Sequence, residues 1–184
     1  YKSCIDVGSK TVMAGHIMLL KLSTALGKDT SSIKKDIAEK SKAAIEKFYD
    51  HEKGVFVSGE KRQISLASNI WMCLAGVFDE EQNAQILERT EKSEGVLELV
   101  TPYAYHYYVQ ALINCGKRDK SREIINGYWG AMADDGADTF YEMFDPENPD
   151  FSAYGAKAAN SYCHAWSCTP SYFFRKYFTE NDNG

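Results

Sequence analysis

The chain is organised around the segment Gly136-Ala137-Asp138-Thr139-Phe140-Tyr141-Glu142-Met143-Phe144-Asp145, which is followed by Ser161-Tyr162-Cys163-His164-Ala165-Trp166-Ser167. The first segment sets a carboxylate among aromatic rings, and the second brings in an imidazole and an indole. Rings stack on the apolar faces of a sugar, carboxylates and imidazoles bond its hydroxyls, and one carboxylate can act as an acid or a base. These residue types predict a carbohydrate site in a long loop.

Size and charge narrow the class of protein. The 184 residues are 44% hydrophobic and 26% charged, which is typical of one globular unit with its own core, and we expect a single domain over residues 1–184. A net charge of -5 provides no basic surface, so nucleic acid is not an expected partner. No apolar run approaches the roughly 18 residues of a membrane span, so no membrane is expected either. The N-terminal residues show no signal-peptide pattern and no initiator Met.

Cysteine spacing gives little indication of a metal. The five cysteines are an odd number without paired spacing, and most lie in apolar context, so we interpret them mainly as buried thiols: Cys4, Cys73, Cys115, Cys163 and Cys168. The Cys163-His164 pair with Cys168 lacks the second pair that a zinc site needs. The acids of the long loop do not have EF-hand spacing. We therefore expect no metal and no other cofactor.

Helical patterns cover most of the chain. Apolar residues at helical spacing predict about seven helices, over about 11–26, 31–48, 64–78, 79–92, 101–115, 120–132 and 169–178. Gly27 is the expected C′ residue of the first helix, Asp79 and Gln82 form a capping-box pair, and Pro102 follows an N-cap threonine. A short extended piece is expected between Gly54 and Gly59. The fold class is therefore predicted to be all-α.

The predicted helices alternate in character. The first, third, fifth and seventh are apolar, whereas the second, fourth and sixth are amphipathic, which predicts an inner and an outer layer. Connections that enter an inner helix are long and those that leave one are short, so antiparallel pairing would collect the long loops at one end. That end is the expected functional face, because sites concentrate on loops held by a rigid scaffold.

Several motifs together resemble the bacterial α-L-rhamnosidases. The 136–145 segment is similar to that family's Gly-Ala-Thr-Thr-hydrophobic-Trp-Glu-Arg-Trp-Asp motif, and 161–167 is similar to its Ser-x-x-His-Ala/Gly-Trp/Tyr segment. Further similarity lies in three short stretches: Thr101-Pro102-Tyr103 with Gln110-Ala111-Leu112, Asp50-His51-Glu52-Lys53-Gly54, and Phe78-Asp79-Glu80-Glu81-Gln82. Tyr141 and Phe144 stand where the family has tryptophans, Met143 where it has Arg, and Asp138 where it has Thr.

The resemblance implies a fold and a reaction. The fold is a partial (α/α)6 barrel of the six-hairpin glycosidases, with this chain as its C-terminal portion. The reaction is inverting hydrolysis with Glu142 as general base, on a rhamnose-containing glycan or glycoside. The family's general-acid motif is absent and would lie upstream of Tyr1. The isolated chain is thus expected to be inactive, to need the upstream polypeptide as a partner, and either to self-associate through uncovered inner helices or to have limited stability.

The other candidate site residues are expected to bind the sugar. His164 takes the position of the family's sugar-contacting His, and we add Trp166, Tyr141, Tyr103 and Phe144 as substrate-binding rings. Three of these assignments have a structural alternative: Glu142 as a cap or solvated acid of the loop, His164 as a satisfied histidine at a helix start, and Trp166 as a ring that fills the barrel. Two other functions also remain open, a non-catalytic carbohydrate-binding or scaffold domain and a helical interaction module, although the latter would require a fixed repeat that we do not find.

Overall fold

The computed structural model describes residues 2–179 of the chain, with side chains from residue 13 onward. Within that part, the chain forms seven α-helices and one small sheet. The helices are α1 (Lys2–Ala25), α2 (Ser31–Phe48), α3 (Leu66–Leu74), α4 (Glu80–Glu91), α5 (Pro102–Asn114), α6 (Arg118–Asp134) and α7 (Pro170–Tyr177). The strands are β1 (Tyr49–Asp50), β2 (Val55–Ser58) and β3 (Gln63–Ile64), and two short 3-10 helices cover Lys157–Ala159 and Ala165–Ser167.

The mostly helical character is confirmed, and the helices are accompanied by one small sheet. The extended piece between Gly54 and Gly59 is the central strand of an antiparallel sheet with the order β1-β2-β3. Phe56 pairs with Tyr49 on one side of it, and Val57 pairs with Ile64 on the other. The four residues of β2 are buried, so these pairings satisfy backbone groups that water does not reach.

Helix ends follow the local sequence signals closely. Asp79 and Gln82 form the predicted capping box of α4, and Gly27 and Gly116 have the positive φ angles, 63° and 68°, that a C′ position favours. The third helix is shorter than predicted. It begins after Ile64 because that residue pairs in β3, and its end precedes Gly76, whose φ of 62° is left-handed. The first helix begins at Lys2 rather than near Thr11.

The chain divides into two compact units. The first unit comprises Tyr1–Glu98 with Asn114–Gly116, and the second comprises Leu99–Ile113 with Lys117–Gly184. The prediction of a single domain, like that of a partial barrel, stays a prediction. Among residues 2–179, no helix combines the length and the apolar character that crossing a membrane requires.

In the first unit, α1 packs against α2 and α3, and β2 lies against α3. Phe56, Ile70 and Met72 are almost completely buried there. Asn69 of α3 is also fully buried, and its amide accepts from Phe56 N at 2.8 Å and donates to Phe56 O at 3.0 Å. This side chain therefore fastens the strand to the helix. The side chains of α1 include three large exposed apolar residues, Met18, Leu19 and Leu22, and Leu26, which directly follows the helix, is also exposed.

In the second unit, three helices share one core. Val109 of α5, Trp129 of α6 and Phe173 of α7 belong to a single buried cluster. The long connection between α6 and α7, residues 135–169, also contributes side chains to it. That connection carries both segments that predicted the carbohydrate site, so its attachment to this core determines how rigidly the site is held.

Candidate functional site

The two predicted segments lie side by side within the second unit. Glu142 N donates to Ser161 O at 2.8 Å, and His164 N donates to Phe140 O at 3.0 Å. The hydroxyl of Thr139 also donates to Tyr162 O. These backbone bonds bring the carboxylate of Glu142 and the imidazole of His164 into one region, although the residues are far apart in sequence. The segments therefore form one structural element, as a shared site requires.

A buried hydroxyl ties this element to the core. Ser167 is fully buried, and its Oγ donates to Tyr141 O at 2.7 Å. The indole Nε1 of Trp129 in turn donates to Ser167 O at 2.8 Å. Because Trp129 belongs to the helical core, the chain of bonds runs from α6 through the second segment to the first. A loop anchored in this way can hold side chains in defined positions.

The carboxylate of Glu142 has two hydrogen-bond donors. The phenol of Tyr154 donates to Oε1 at 2.7 Å, and the backbone N of Ser161 donates to Oε2 at 3.3 Å. The Tyr154 hydrogen bond is the largest cause of a lowered pKa of Glu142, and the Ser161 bond and the nearby charge of His164 act in the same direction. The same contact raises the pKa of the Tyr154 phenol. Glu142 is consequently ionised at neutral pH, and Tyr154 is the donor.

Exposed aromatic rings continue the site from His164. The rings of His164 and Trp166 have centroids 4.2 Å apart, and Trp166 lies 5.6 Å from Tyr103 at the start of α5. Trp166 and Tyr103 are each 43% exposed, so both offer ring surface to a ligand. Tyr107, one turn further along α5, contacts Tyr103 edge-on at 5.0 Å. These contacts join His164, Trp166 and Tyr103 into one patch.

Two of the predicted substrate-binding rings point elsewhere. Tyr141 is 8% exposed and Phe144 is 4% exposed, and both belong to the core cluster of the second unit. Tyr141 contacts Phe144 and Tyr162 edge-on, with centroids 5.9 and 4.9 Å away. Burial leaves little of either ring accessible to a ligand. Their roles as substrate contacts stay predictions, whereas their packing in the core of the second unit is a feature of the fold.

Sequence reasoning missed the partner of Glu142. Tyr154 is in an irregular part of the 135–169 connection, where no periodicity relates one side chain to another. The Ser161 amide was missed for a different reason, because a backbone donor leaves no mark in the sequence. The acid-rich composition of the connection was the available signal, and it pointed to solvation rather than to a specific contact.

The remaining polar residues of interest do not gather into a site. Among the side chains of residues 13–179, no group of three His, Cys, Asp or Glu residues is arranged to hold a metal ion. Cys73 and Cys115 are buried free thiols, but Cys163 and Cys168 are exposed, so the interpretation of the cysteines as mainly buried is wrong for these two. The Cys4 side chain lies outside the described residues.

The chain is similar to solved rhamnosidases. It is 40% identical to a rhamnosidase from Klebsiella oxytoca with rhamnose bound, with a TM-score of 0.84 over 95% of this chain and 34% of that one. A GH78 family rhamnosidase of Bacillus sp. GL1 shares the fold, with 21% identity and a TM-score of 0.72 over 89% of this chain and 18% of that one. No model of a protein family matches the chain, and no curated protein matches it. The chain thus spans about a third of the length of the first of these structures.

Proposed function

This chain belongs to the rhamnosidase family and spans about a third of the length of its relative from Klebsiella oxytoca. We propose that it is a portion of a glycoside hydrolase in which Glu142 is the general base. The observation that carries the proposal is the ionised carboxylate of Glu142, held by Tyr154 and near the charge of His164, whose ring in turn lies 4.2 Å from the exposed ring of Trp166. A charged oxygen next to a stacking surface matches the chemistry of a sugar site. The rhamnose bound to the relative makes a terminal rhamnose-like sugar the expected substrate.

The reaction follows from the chemistry of inversion. Glu142 accepts a proton from a water molecule while the water oxygen bonds to the anomeric carbon. The glycosidic C–O bond breaks as a second carboxyl group protonates the leaving oxygen, so the product has the opposite anomeric configuration. The two carboxyl groups in such enzymes are about 6.5 to 9.5 Å apart, which leaves room for the water. No cofactor takes part in this chemistry.

The pKa of Glu142 fits this role. A lowered pKa keeps the carboxylate ionised in mildly acidic and neutral solution, where it can accept a proton. A weak base is sufficient, because the transition state resembles an oxocarbenium ion and a strongly electrophilic carbon needs little activation of the attacking water. His164 contributes an imidazole that can form hydrogen bonds with sugar hydroxyls. We assign it, with Trp166 and Tyr103, to binding of the sugar.

The general acid belongs, in this proposal, to another part of the parent polypeptide. The relative is about three times as long as the shared segment, which leaves ample chain to supply an acid. We propose that the helices of this chain form part of an (α/α)6 barrel in the parent and that the isolated chain lacks activity. The exposed apolar residues near the end of α1, Leu22 within the helix and Leu26 just after it, support a partner there, either that polypeptide or a second copy of the chain.

The test is Glu142→Gln in the full-length protein that carries this chain. We expect kcat for a chromogenic rhamnoside to fall by roughly 10² to 10⁴, because the amide cannot accept the proton. Binding of rhamnose, measured by calorimetry, should persist. The matched control is Glu147→Gln, an exposed carboxylate of the same connection, which should retain full activity. Unchanged turnover in Glu142→Gln would refute the assignment of the base, and sugar binding without turnover in the unmodified protein would indicate a non-catalytic binding domain.

A further inference from the structure

Tyr154 makes the shortest hydrogen bond to the carboxylate of Glu142. Its hydroxyl lies 2.7 Å from Oε1, whereas the Ser161 amide lies 3.3 Å from Oε2. The two donors reach different oxygens from different parts of the connection. A carboxylate held at both oxygens has a fixed plane, and the lone pairs that the donors leave unused face defined directions. The phenol is the only side chain among the described residues with a hydrogen bond to this carboxylate.

The backbone around Tyr154 is itself anchored, although the ring is 58% exposed. Tyr154 N donates to Ser152 Oγ at 3.1 Å, and Ser152 Oγ donates to Asn160 Oδ1 at 2.7 Å. Asn160 is buried, and its Nδ2 donates to Phe151 O at 3.0 Å. The turn closes at Gly155, which has a φ of 84° and donates its N–H to Ser152 O at 3.2 Å. A buried amide therefore sets the position of an exposed phenol.

A second anchor fastens this turn directly to the Glu142 segment. Ala153 N lies 3.4 Å from the sulfur of Met143, which is the residue after Glu142 and is buried. The turn therefore contacts two successive side chains of the segment, Glu142 through Tyr154 and Met143 through Ala153. A tyrosine that merely lay on the surface would need neither the Asn160 amide nor the Met143 contact. The arrangement is that of a support built for the carboxylate.

We propose that Tyr154 is a positioning residue for Glu142: its hydroxyl holds the carboxylate so that the free lone pairs face the water that attacks the sugar. The proposal rests on the function proposed above. The phenol keeps its proton, so it neither accepts a proton from water nor replaces Glu142 as the base. Specificity for the sugar remains with His164, Trp166 and Tyr103. Tyr154 acts only through the carboxylate.

The proposal predicts an effect on both rate and pH dependence. Tyr154→Phe removes one oxygen and leaves the ring, so the fold of the turn should be retained. In the full-length protein we expect kcat to fall by about tenfold to a hundredfold with KM little changed, because a misdirected base lowers the rate without weakening substrate binding. Loss of the main cause that lowers the pKa of Glu142 should raise that pKa. The acidic limb of the kcat profile should therefore move to higher pH.

The groups that lower the pKa of Glu142 are the Tyr154 phenol, the Ser161 amide and His164. The matched control is Tyr162→Phe, which removes a phenol of the same connection that donates to Lys157 O at 3.0 Å and not to Glu142. It should leave the acidic limb where it is. A readout independent of activity is the carboxyl carbon resonance of Glu142 in glutamate-labelled protein, identified by its absence in Glu142→Gln. Its titration should move upward in Tyr154→Phe and stay in place in Tyr162→Phe.

The outcomes separate the two proposals. If Glu142→Gln abolishes turnover but Tyr154→Phe behaves like Tyr162→Phe in rate and titration, Glu142 remains the base and the positioning role of Tyr154 is refuted. A rise in kcat for Tyr154→Phe would also refute it, because the phenol would then be blocking the carboxylate. If Glu142→Gln retains turnover, the proposed function itself fails, whatever the Tyr154 titration shows.

Discussion

Asn69 in the first unit and Glu142 in the second are both held by two or more hydrogen bonds, but in opposite surroundings. Asn69 is completely buried and bonds only backbone atoms, those of Phe56 and Ser65 O at 3.0 Å. Glu142 is half-buried and bonds an exposed phenol as well as a backbone amide. The difference shows that hydrogen bonds can hold a polar side chain inside the core in one place and at an accessible surface in another. The hydrogen bonds of Asn69 lie inside the core and stabilise the fold, whereas those of Glu142 lie at the surface and leave its carboxylate oxygens accessible.

The strongest test of this comparison is Asn69→Ala. The substitution would leave the buried N–H and C=O of Phe56 without their side-chain partner, in a region that water does not reach. We expect the free energy of unfolding to fall by about 3 to 5 kcal/mol, since each unsatisfied buried group costs about 1 to 3 kcal/mol. Urea unfolding of the chain, followed by circular dichroism, measures it.

The control is Asn148→Ala, an exposed asparagine in the 135–169 connection. It should change the free energy of unfolding by less than about 0.5 kcal/mol, as is usual at the surface. A loss below about 1 kcal/mol for Asn69→Ala would mean that the strand is held to α3 by apolar packing alone, and the contrast with Glu142 would lose its basis.

A smaller effect is expected for Ser167→Ala, which tests whether the site has a structural tie of the Asn69 kind. The buried hydroxyl of Ser167 donates to Tyr141 O at 2.7 Å, and this hydrogen bond joins the two site segments inside the core. We expect a loss of about 1 to 2 kcal/mol in the free energy of unfolding. The amides of Glu142 and His164, which bond across the same segments, should exchange hydrogen faster.

The matched control for Ser167 is Ser161→Ala. Ser161 belongs to the same segment, but its exposed hydroxyl makes a long hydrogen bond, 3.4 Å, to Cys163 O. Its backbone bonds to Glu142 survive the substitution. It should alter neither stability nor exchange by a measurable amount. Equal effects in the two variants would show that the tie does not depend on burial.

Local signals in the sequence predicted most of the helices, because helix ends depend on nearby residues. The capping box at Asp79, the left-handed Gly27 and the proline that opens α7 are all visible within a few positions. The short strand β2 was also recognisable between its glycines. What could not be predicted was its pairing with β3, which displaced the start of α3, since strand pairing is a contact between separate stretches.

The site was predictable in composition but not in arrangement. The motif resemblance singled out Glu142 and His164, and the backbone bonds between their segments bring the two together. It did not separate Trp166 and Tyr103, which are exposed, from Tyr141 and Phe144, which are buried. All four are aromatic, and an irregular connection has no period from which to infer the buried face. The contact of Tyr154 with Glu142 could not be predicted for the same reason.

The smallest expected effect concerns a carboxylate that resembles Glu142 in its bonds but belongs to the fold. At the end of β1, Asp50 Oδ1 accepts from Glu52 N and Lys53 N, each at 3.1 Å, and Oδ2 accepts from Arg62 at 2.9 Å. The Arg62 bond is the largest cause of a lowered pKa of Asp50, and the Lys53 amide is the next that lowers it. The two amides belong to the turn between β1 and β2, whereas Arg62 belongs to the turn between β2 and β3, so the ionised form of Asp50 links and stabilises both turns.

The sign of the pH effect follows from that lowered pKa. A carboxyl group with a lower pKa in the folded chain stabilises the fold above its unfolded pKa, and this contribution is lost as the pH falls through the folded pKa. Asp50→Asn should therefore make the chain less stable at neutral pH and flatten the acidic part of its stability profile, measured as unfolding midpoints between about pH 7 and pH 2. Tyr154→Phe should change the titration of Glu142 far more than this profile, because that carboxylate lies at an accessible surface. If the unfolding midpoints of Asp50→Asn and the unmodified chain fell equally steeply with decreasing pH, the hydrogen bonds of Asp50 would contribute as little to the stability of the fold as we expect for those of Glu142.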